Sequence, residues 1–339
     1  LRLVSSSKSA HLVYQENKET ERSRFIEQLI WERQKRDKTF DGLVPVQAAF
    51  AGALRPRLNS IKKTPEMIAH LKAMTFSASS VNAYMRNPMD FYRQYILGIR
   101  EDDDLLDEPD AKNVGTFVHA LLHQAFEPFV KRKPEINAEF RKRFDELFEQ
   151  RFAETFVKSM KSDAFLLKTV LRERLQRLLD YEAQHESRRV KEIIALETRF
   201  TQTIPLSCAD VNFAYVVDRI DRMDDGRVTV VDYKTGARNV MPLPIERWKD
   251  HPWTREYLAE TVRSFQIPLY HHHLRAMFPG ESVNAALYNL RTLSFDCFLT
   301  EKNNADSDDI NRVFLQALDF ILSEIFNPDV GFVEDVPAR

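Results

Sequence analysis

Acidic and basic side chains stand at the end of an apolar, strand-like stretch near the middle of the chain. The stretch reads VVDRIDRMDDGRVTVVDYKTG and runs from Val216 to Gly236. Alternate residues of a strand face the same side, so Asp232 and Lys234 share a face while Tyr233 points away. Carboxylates among valines are costly to bury unless a cation or a hydrogen-bond donor compensates. The pattern predicts either a divalent metal site or an ion pair of Lys234 with its aspartates.

A preceding strand is expected to run antiparallel to this one through the turn at Asp224–Gly226, which brings another aspartate alongside Asp232. Two carboxylates and an ammonium group at a sheet edge suit Mg²⁺, which prefers oxygen ligands. Strand alternation puts Asp221 on the face opposite to Asp218 and Asp224, so the two sets cannot both face one ion without a bulge. We predict that Asp221, not Asp218 or Asp224, is the metal ligand.

The elements that must position these residues follow from the hydrophobic period. A strand, a turn and an amphipathic helix are predicted over 11–34, helix starts at Thr64 and at Ser77 or Ser79, and long helices over about 136–192. The period then changes, which predicts three strands, a helix, two further strands and a last helix. Their expected ranges are 194–206, 211–222, 227–233, 256–277, 282–290, 292–299 and 308–325. This order predicts an α/β fold with a mixed central sheet.

Composition and charge narrow the class of protein. The 339 residues are 43% hydrophobic and 29% charged, as in globular proteins, and no apolar run reaches the roughly 18–20 residues that span a bilayer. The net charge of −2 argues against a uniformly basic nucleic-acid coat, although Lys131–Lys133 and Arg141–Arg143 leave a local basic groove open. Cys208 and Cys297 are the only cysteines, which favours a reducing compartment such as the cytoplasm.

Three short motifs carry a family resemblance. The stretch IDRMDDGRVTVVDYKTG resembles the central motif of the PD-(D/E)XK nucleases, specifically their RecB-type branch. The sequence GTFVH, Gly115–His119, resembles the helix whose histidine joins the metal there, and QIPLY, Gln266–Tyr270, resembles a Gln-x-x-x-Tyr signature. All three stand in the expected order across about residues 75–335. The resemblance implies a restriction-endonuclease-like core, a mixed sheet flanked by helices, with a large helical insertion over about 136–192.

The resemblance also implies roles for individual residues. Mg²⁺, for which Mn²⁺ can substitute, would be bound by His119, Asp221, Asp232 and the backbone carbonyl of Tyr233. Lys234 would be the catalytic lysine, and Gln266 and Tyr270 would lie beside the scissile phosphate or support Lys234. Two positions depart from the family pattern. Asp218 is taken to stand where glycine is usual, and His123 where an acidic residue is common.

Residues 1–40 resemble the end of a helicase-like domain, as precedes the nuclease in AddB-type proteins of recombinational DNA repair. The expected domains are therefore an appendage over 1–74 and a nuclease domain over 75–339. Many AddB-type proteins hold a four-cysteine iron–sulfur cluster, whose first cysteine precedes a proline. That position reads Asn87–Pro88 here, and the two cysteines lack Cys-x-x-Cys spacing, so no cluster is expected.

The function expected from this resemblance is a Mg²⁺-dependent DNA nuclease, an exonuclease, that works with a helicase subunit or a helicase domain of the same longer chain. Two alternatives stay open. One is a catalytically silent DNA-binding module of the same fold, and the other is a scaffold whose aspartates only form ion pairs. The run His271–His273 suggests zinc, but three consecutive helical residues point in three directions, which argues against such a site.

Overall fold

The computed structural model describes residues 23–39, 60–99, 111–157, 164–184, 190–236, 239–249, 252–300 and 307–334. The chain divides into two compact units, Leu1–Pro56 and Arg57–Arg339. In the first unit, helix α1 spans Arg24–Asp37 and overlaps the predicted amphipathic helix. Its Phe25 and Trp31 side chains are exposed. The strand predicted ahead of α1 and the acidic segment 101–110 lie outside the described residues.

The described helices of the second unit flank a sheet. They are α2 Pro65–Ala73, α3 Ala78–Arg86, α4 Pro88–Phe91, α5 Ala111–Phe126, α6 Ala138–Phe152, α7 Ala164–Gln184, α8 Glu246–Lys249, α9 Arg255–Thr261, α10 Gln266–Met277 and α11 Ser307–Phe326. Thr64 and Ser77 cap α2 and α3 as predicted, since their hydroxyls accept the amide hydrogens of Met67 and Ser80. Within the described part of the chain, no helix is both long and apolar enough to cross a bilayer.

The sheet has five strands in the order β1 to β5. They are β1 Val190–Pro205, β2 Asp210–Met223, β3 Val228–Lys234, β4 Val283–Asn289 and β5 Phe295–Cys297. The first three form the predicted antiparallel meander, β3 pairs with β4 in parallel, and β4 pairs with β5 antiparallel. The mixed sheet flanked by helices confirms the predicted fold class. Strands β3 and β4 are buried almost throughout, because helices cover both faces.

Strand alternation sorts the core into two hydrophobic clusters, one on each face of the sheet. Val228 and Val230 of β3 pack in the cluster that includes α3, α10 and α11. Val231 and Tyr233 pack in the other, which includes α5, α6 and α7. The period of two therefore turns the side chain of Asp232 toward the face that carries α10.

The register between β2 and β3 decides which aspartate of β2 lies beside Asp232. The turn that joins the strands closes with the amide of Met223 donating to the carbonyl of Arg227. The pairs run from Arg222–Val228 to Arg219–Val231, with Asp221 opposite Thr229. The pairing ends at Arg219–Val231, and beyond it the Asp218 carboxylate accepts the backbone N–H of Tyr233, the residue after Asp232. Asp218, rather than Asp221, therefore lies beside Asp232.

The single helix predicted over 256–277 is two helices. Helix α9 ends at Thr261, and α10 begins at Gln266 after Arg263 adopts a left-handed backbone with φ of 60°. Pro268 lies in the first turn of α10, where its missing N–H is tolerated, whereas inside a longer helix it would clash with the preceding turn. The Ser264 hydroxyl accepts the amide hydrogen of Gln266. The break places Gln266 in the first turn of α10.

Candidate active site

Asp232 is the buried centre of a polar cluster at the carboxyl end of β3. Its side chain is 5% exposed, and its Oδ2 lies 2.6 Å from Lys234 Nζ, two residues along the same strand face. Gln266 Nε2 donates to Asp232 Oδ1 at 2.7 Å, and Lys234 Nζ donates to Gln266 Oε1 at 3.0 Å. One amide side chain therefore fixes both the carboxylate and the ammonium group.

Tyr270 supports this arrangement from the next turn of α10. Its hydroxyl donates to the carbonyl of Val216 in β2 at 2.9 Å and accepts from Gln266 Nε2 at 2.9 Å. The same hydroxyl lies 3.5 Å from Asp232 Oδ1. Burial, together with the charge of Asp232, raises the pKa of Tyr270 well above its ordinary value, so the phenol stays protonated as a donor. The predicted Gln266 and Tyr270 are thus brought to Asp232.

Asp218 links β2 to helix α5. Its Oδ2 accepts the backbone N–H of Tyr233 at 2.7 Å, and its Oδ1 lies 3.1 Å from Nδ1 of His119. The His119 ring also packs edge-on against the Tyr233 ring, with centroids 6.1 Å apart. The sequence motif GTFVH therefore delivers its histidine to the central strands, as expected.

The predicted position of Asp221 is wrong. Asp221 is fully buried on the opposite face of the sheet, where its Oδ1 lies 2.6 Å from Nε of Arg219. Arg219 Nη1 also lies 3.4 Å from Glu182 of α7 and 3.3 Å from the Tyr233 hydroxyl. The correction follows from the register, because Asp221 pairs with Thr229, which alternates to the face opposite Asp232. Asp218, treated from sequence as an added charge, occupies the place expected of Asp221.

Sequence reasoning missed Glu197. It lies in β1 between the pairs Leu196–Arg219 and Thr198–Val217, and therefore opposite Asp218. Its φ of 40° marks a local distortion of the strand. Ligand atoms of His119, Glu197 and Asp218 all lie within 4.8 Å of one another. The sequence did hold one indication of its role, because Glu197 is the only glutamate in the strand predicted over 194–206 and follows three apolar residues.

Burial and mutual repulsion disfavour the charged form of the carboxylates in this cluster. Burial, and then the charge of Asp218, raises the pKa of Asp232 to about 6, although Lys234 and His119 act in the opposite direction. Burial and the charge of Asp218 likewise raise the pKa of Glu197. Burial alone would lower the pKa of His119, but its hydrogen bond to Asp218 and the nearby carboxylates raise it overall. A bound cation would relieve the repulsion among these carboxylates.

The donor set fits a divalent cation. Asp232 Oδ2 is buried and accepts no well-aligned hydrogen bond from a described residue, although Lys234 Nζ lies close to it. The imidazole of His119 and the carboxylates of Glu197 and Asp218 stand together, and the charges of His119 and Asp218 act on Asp232. Carboxylate oxygens with one imidazole suit Mg²⁺ or Mn²⁺. Tyr233, whose carbonyl the resemblance adds to this set, follows Asp232 directly in β3.

The three histidines of α10 do not form a common site. His271 is buried against Phe298, with ring centroids 5.5 Å apart. His272 lies 2.9 Å from Asn311, and His273 lies 3.2 Å from Gln202. His272 also lies 3.4 Å from Gln202, yet none of the three belongs to a group of possible metal ligands among the described residues.

The chain thus combines a mixed sheet flanked by helices with an Asp–Lys pair at the end of a central strand and an acidic cluster near it. The family model of the PD-(D/E)XK nuclease superfamily matches residues 75–336. The chain belongs to this superfamily, which confirms the family resemblance of the sequence.

Curated relatives match about half of the chain. An ATP-dependent helicase/deoxyribonuclease subunit of Streptococcus agalactiae serotype Ia is 25% identical over 176 residues, 49% of this chain and 14% of the relative. Its namesake in Streptococcus mutans serotype c is 28% identical over 212 residues, 57% of this chain and 17% of the relative. The matched region is therefore less than a fifth of these relatives. Among solved structures, a putative exonuclease from Eubacterium rectale has a TM-score of 0.39 and 12% identity, covering 80% of this chain and 88% of that one.

Proposed function

We propose that this chain is a Mg²⁺-dependent DNA nuclease domain that hydrolyses phosphodiester bonds from a strand end, with Mn²⁺ able to replace Mg²⁺. The observation that carries the proposal is the buried Asp232 carboxylate, held by Lys234 and Gln266 beside Asp218 and His119. Membership of the nuclease superfamily supports the reaction class. The repulsion of Asp218 with Asp232 and with Glu197 supports a cation requirement, because a bound cation would relieve it.

The residues proposed to hold the cation are His119, Glu197, Asp218, Asp232 and the carbonyl of Tyr233. Asp221 is not among them, because it is paired with Arg219 on the far face of the sheet. When bound, the cation would supply Lewis-acid activation of the phosphodiester and charge neutralisation. Cys208 and Cys297 are half-buried and form no disulfide with a described residue, and the absence of an iron–sulfur cluster stays a prediction.

Lys234 is proposed to act on the phosphate. Its Nζ shares the face of Asp232, and its side chain is 35% exposed, so it can reach a substrate from the site's rim. Gln266 Oε1 accepts a hydrogen bond from this ammonium group, which holds it ready to stabilise negative charge on the phosphoryl oxygens or to orient the attacking water. Tyr270 maintains the geometry by anchoring Gln266 and Asp232 to β2.

The biological setting is proposed from the relatives. Two of them are named as ATP-dependent helicase/deoxyribonuclease subunits, which supports a helicase subunit, or a helicase domain of a longer chain, as partner. A role in recombinational DNA repair in the cytoplasm agrees with such a partner and with the low cysteine content.

The test uses end-labelled linear DNA and a covalently closed circle of the same sequence. With Mg²⁺ or Mn²⁺, the protein is expected to shorten the linear DNA and to leave the circle intact, and EDTA is expected to stop the reaction. Asp232→Asn is the matched control, because it keeps the shape of a buried side chain while removing its charge. No shortening under either metal, with and without a helicase partner, would contradict the proposal and favour a silent DNA-binding module. Cutting of the circle would contradict the exonuclease assignment.

A further inference from the structure

A groove of about 450 Å³ leads to the candidate active site along the edge of β2. One end is formed by Gln266 and Tyr270, which both contact Asp232. The floor is formed by Ala214, Tyr215 and Val216, and one wall by the segment 75–79. A ligand that lies in the groove is therefore continuous with a group bound at Asp232.

The wall of the groove is fixed to its floor. The amide of Phe76 donates to the carbonyl of Asn212, and the amide of Ala214 donates to the carbonyl of Phe76. Ser77 caps α3, and the exposed Ser79 lies in the first helical turn at the groove. The groove is thus a preformed feature beside β2, which lowers the cost of ordering a ligand in it.

Arg199 is the only charged residue among the described residues that line the groove. It projects from β1 opposite Val216, is exposed, and makes no ion pair or hydrogen bond with any described residue. Its neighbour in the groove, Val216, is 46% exposed despite being apolar. An unpaired guanidinium beside an apolar strip offers one contact for a phosphate and another for a sugar.

The charge pattern suits a polyanion that continues past the active site. The neighbouring cluster of Glu197, Asp218 and Asp232 is acidic, so it repels phosphates that lie beyond a bound cation. The groove itself is lined by no acidic side chain among its described residues. Arg199 supplies the positive charge where the strand leaves the acidic cluster, and arginine binds phosphate through two parallel hydrogen bonds.

We propose that this groove carries the DNA strand next to the bond that is cut, and that Arg199 binds a backbone phosphate adjacent to the scissile one. The proposal rests on the proposed nuclease function and adds the path of the substrate and a residue that binds it. Arg199 makes no hydrogen bond or ion pair with Asp232 or Lys234, so its role is to position the strand.

The experiment compares wild type, Arg199→Ala, Arg199→Lys and Arg312→Ala on end-labelled oligonucleotides. Arg312 is an exposed arginine of α11 that lines no part of the groove, and it serves as the matched control. One set of oligonucleotides carries a single neutral methylphosphonate at successive positions from the cut bond. Loss of a charged phosphate contact is expected to raise the KM of Arg199→Ala about tenfold or more, with little change in kcat, and Arg199→Lys is expected to recover part of it.

The methylphosphonate series locates the contact. At one position next to the cut bond, the neutral linkage is expected to cost wild type and Arg312→Ala about as much as the Arg199→Ala change, and to cost Arg199→Ala nothing further. A KM for Arg199→Ala equal to that of Arg312→Ala would overturn the proposal. So would a methylphosphonate penalty that is the same in wild type and Arg199→Ala at every position.

A binding arm separates this proposal from the proposed function. If wild type binds DNA without cutting it, fluorescence anisotropy of a labelled oligonucleotide replaces the kinetics. Arg199→Ala is then expected to bind about tenfold more weakly than Arg312→Ala, and its salt dependence to fall by about one phosphate contact. Equal affinity of the two variants would overturn the groove assignment whatever the outcome for catalysis. Equal thermal stabilisation of wild type and Arg199→Ala by Mn²⁺ would confirm that the acidic cluster is intact.

Discussion

The substitution Asp221→Asn is expected to destabilise the fold and to spare the metal site. Asp221 and Arg219 are both fully buried, and Asp221 Oδ1 lies 2.6 Å from Arg219 Nε. The guanidinium also packs over the Phe126 ring at 4.8 Å, in the cluster between the sheet and α5. The substitution therefore leaves a buried positive charge that still has the Glu182 carboxylate at 3.4 Å.

The magnitude follows from the cost of breaking a buried ion pair, which is about 3–5 kcal/mol when one partner is removed. Because Glu182 still faces Arg219, we expect a loss near the lower end, about 3 kcal/mol. For a domain of this size, each kcal/mol lowers Tm by about 2–4 °C, so the expected fall is about 6–12 °C. Asp218→Asn should change Tm far less, since an amide oxygen still accepts the Tyr233 N–H.

Calorimetric melting of both variants, with and without Mn²⁺, checks this expectation. Asp221→Asn should melt early yet gain as much from Mn²⁺ as wild type does, because the ion stabilises only the folded state that binds it. Asp218→Asn should melt near wild type and lose most of that gain. The reverse pattern, an Asp221→Asn protein with an unchanged Tm and no response to Mn²⁺, would refute the assignment of the two aspartates.

Two further predictions concern catalysis and acid stability. Lys234→Ala is expected to cut DNA about 10²–10³ times more slowly while binding Mn²⁺ and DNA nearly as wild type does. The reason is that one charged contact in a preorganised site is worth about 3–4 kcal/mol. Cutting at the wild-type rate in single-turnover kinetics would show that Lys234 only forms an ion pair. Burial lowers the pKa of His271 to about 3, so between pH 6.5 and 3 the unfolded chain binds the extra proton and stability falls as the pH falls. This group alone should lower the free energy of unfolding by about 2 kcal/mol at pH 5. Denaturant titrations should show that His271→Asn removes this loss and that a substitution of the exposed His70 does not. Identical pH dependence of wild type and His271→Asn would contradict the prediction.

Local patterns predicted the elements of the fold well. The alternating apolar texture of β2 and β3 indicated the meander, and the serine and threonine caps indicated the starts of α2 and α3. The site residues carried by one element were also placed correctly relative to each other. Asp232 and Lys234 share a strand face, and Gln266 and Tyr270 share a helix face, because these relations depend only on the period of two or 3.6.

Relations between elements were less predictable. Whether Asp218 or Asp221 lies beside Asp232 depends on the register across the β2–β3 turn, and a shift of one residue reverses every side chain. Glu197 and Arg263 have positive φ angles, which glutamate and arginine rarely adopt, so the residue types do not predict the distortion of β1 or the break before α10. Both features serve the site, since one places a carboxylate opposite Asp218 and the other places Gln266 against Asp232.

The central claim is that a divalent cation binds between the carboxyl end of β3 and helix α5, and an anomalous-scattering map from a crystal soaked in Mn²⁺ tests it most directly. We predict a peak within about 2–2.5 Å of carboxylate oxygens of Asp218 and Asp232 and close to the His119 ring. A map with no peak at these residues, or with a peak beside Asp221 and Arg219, would contradict the account.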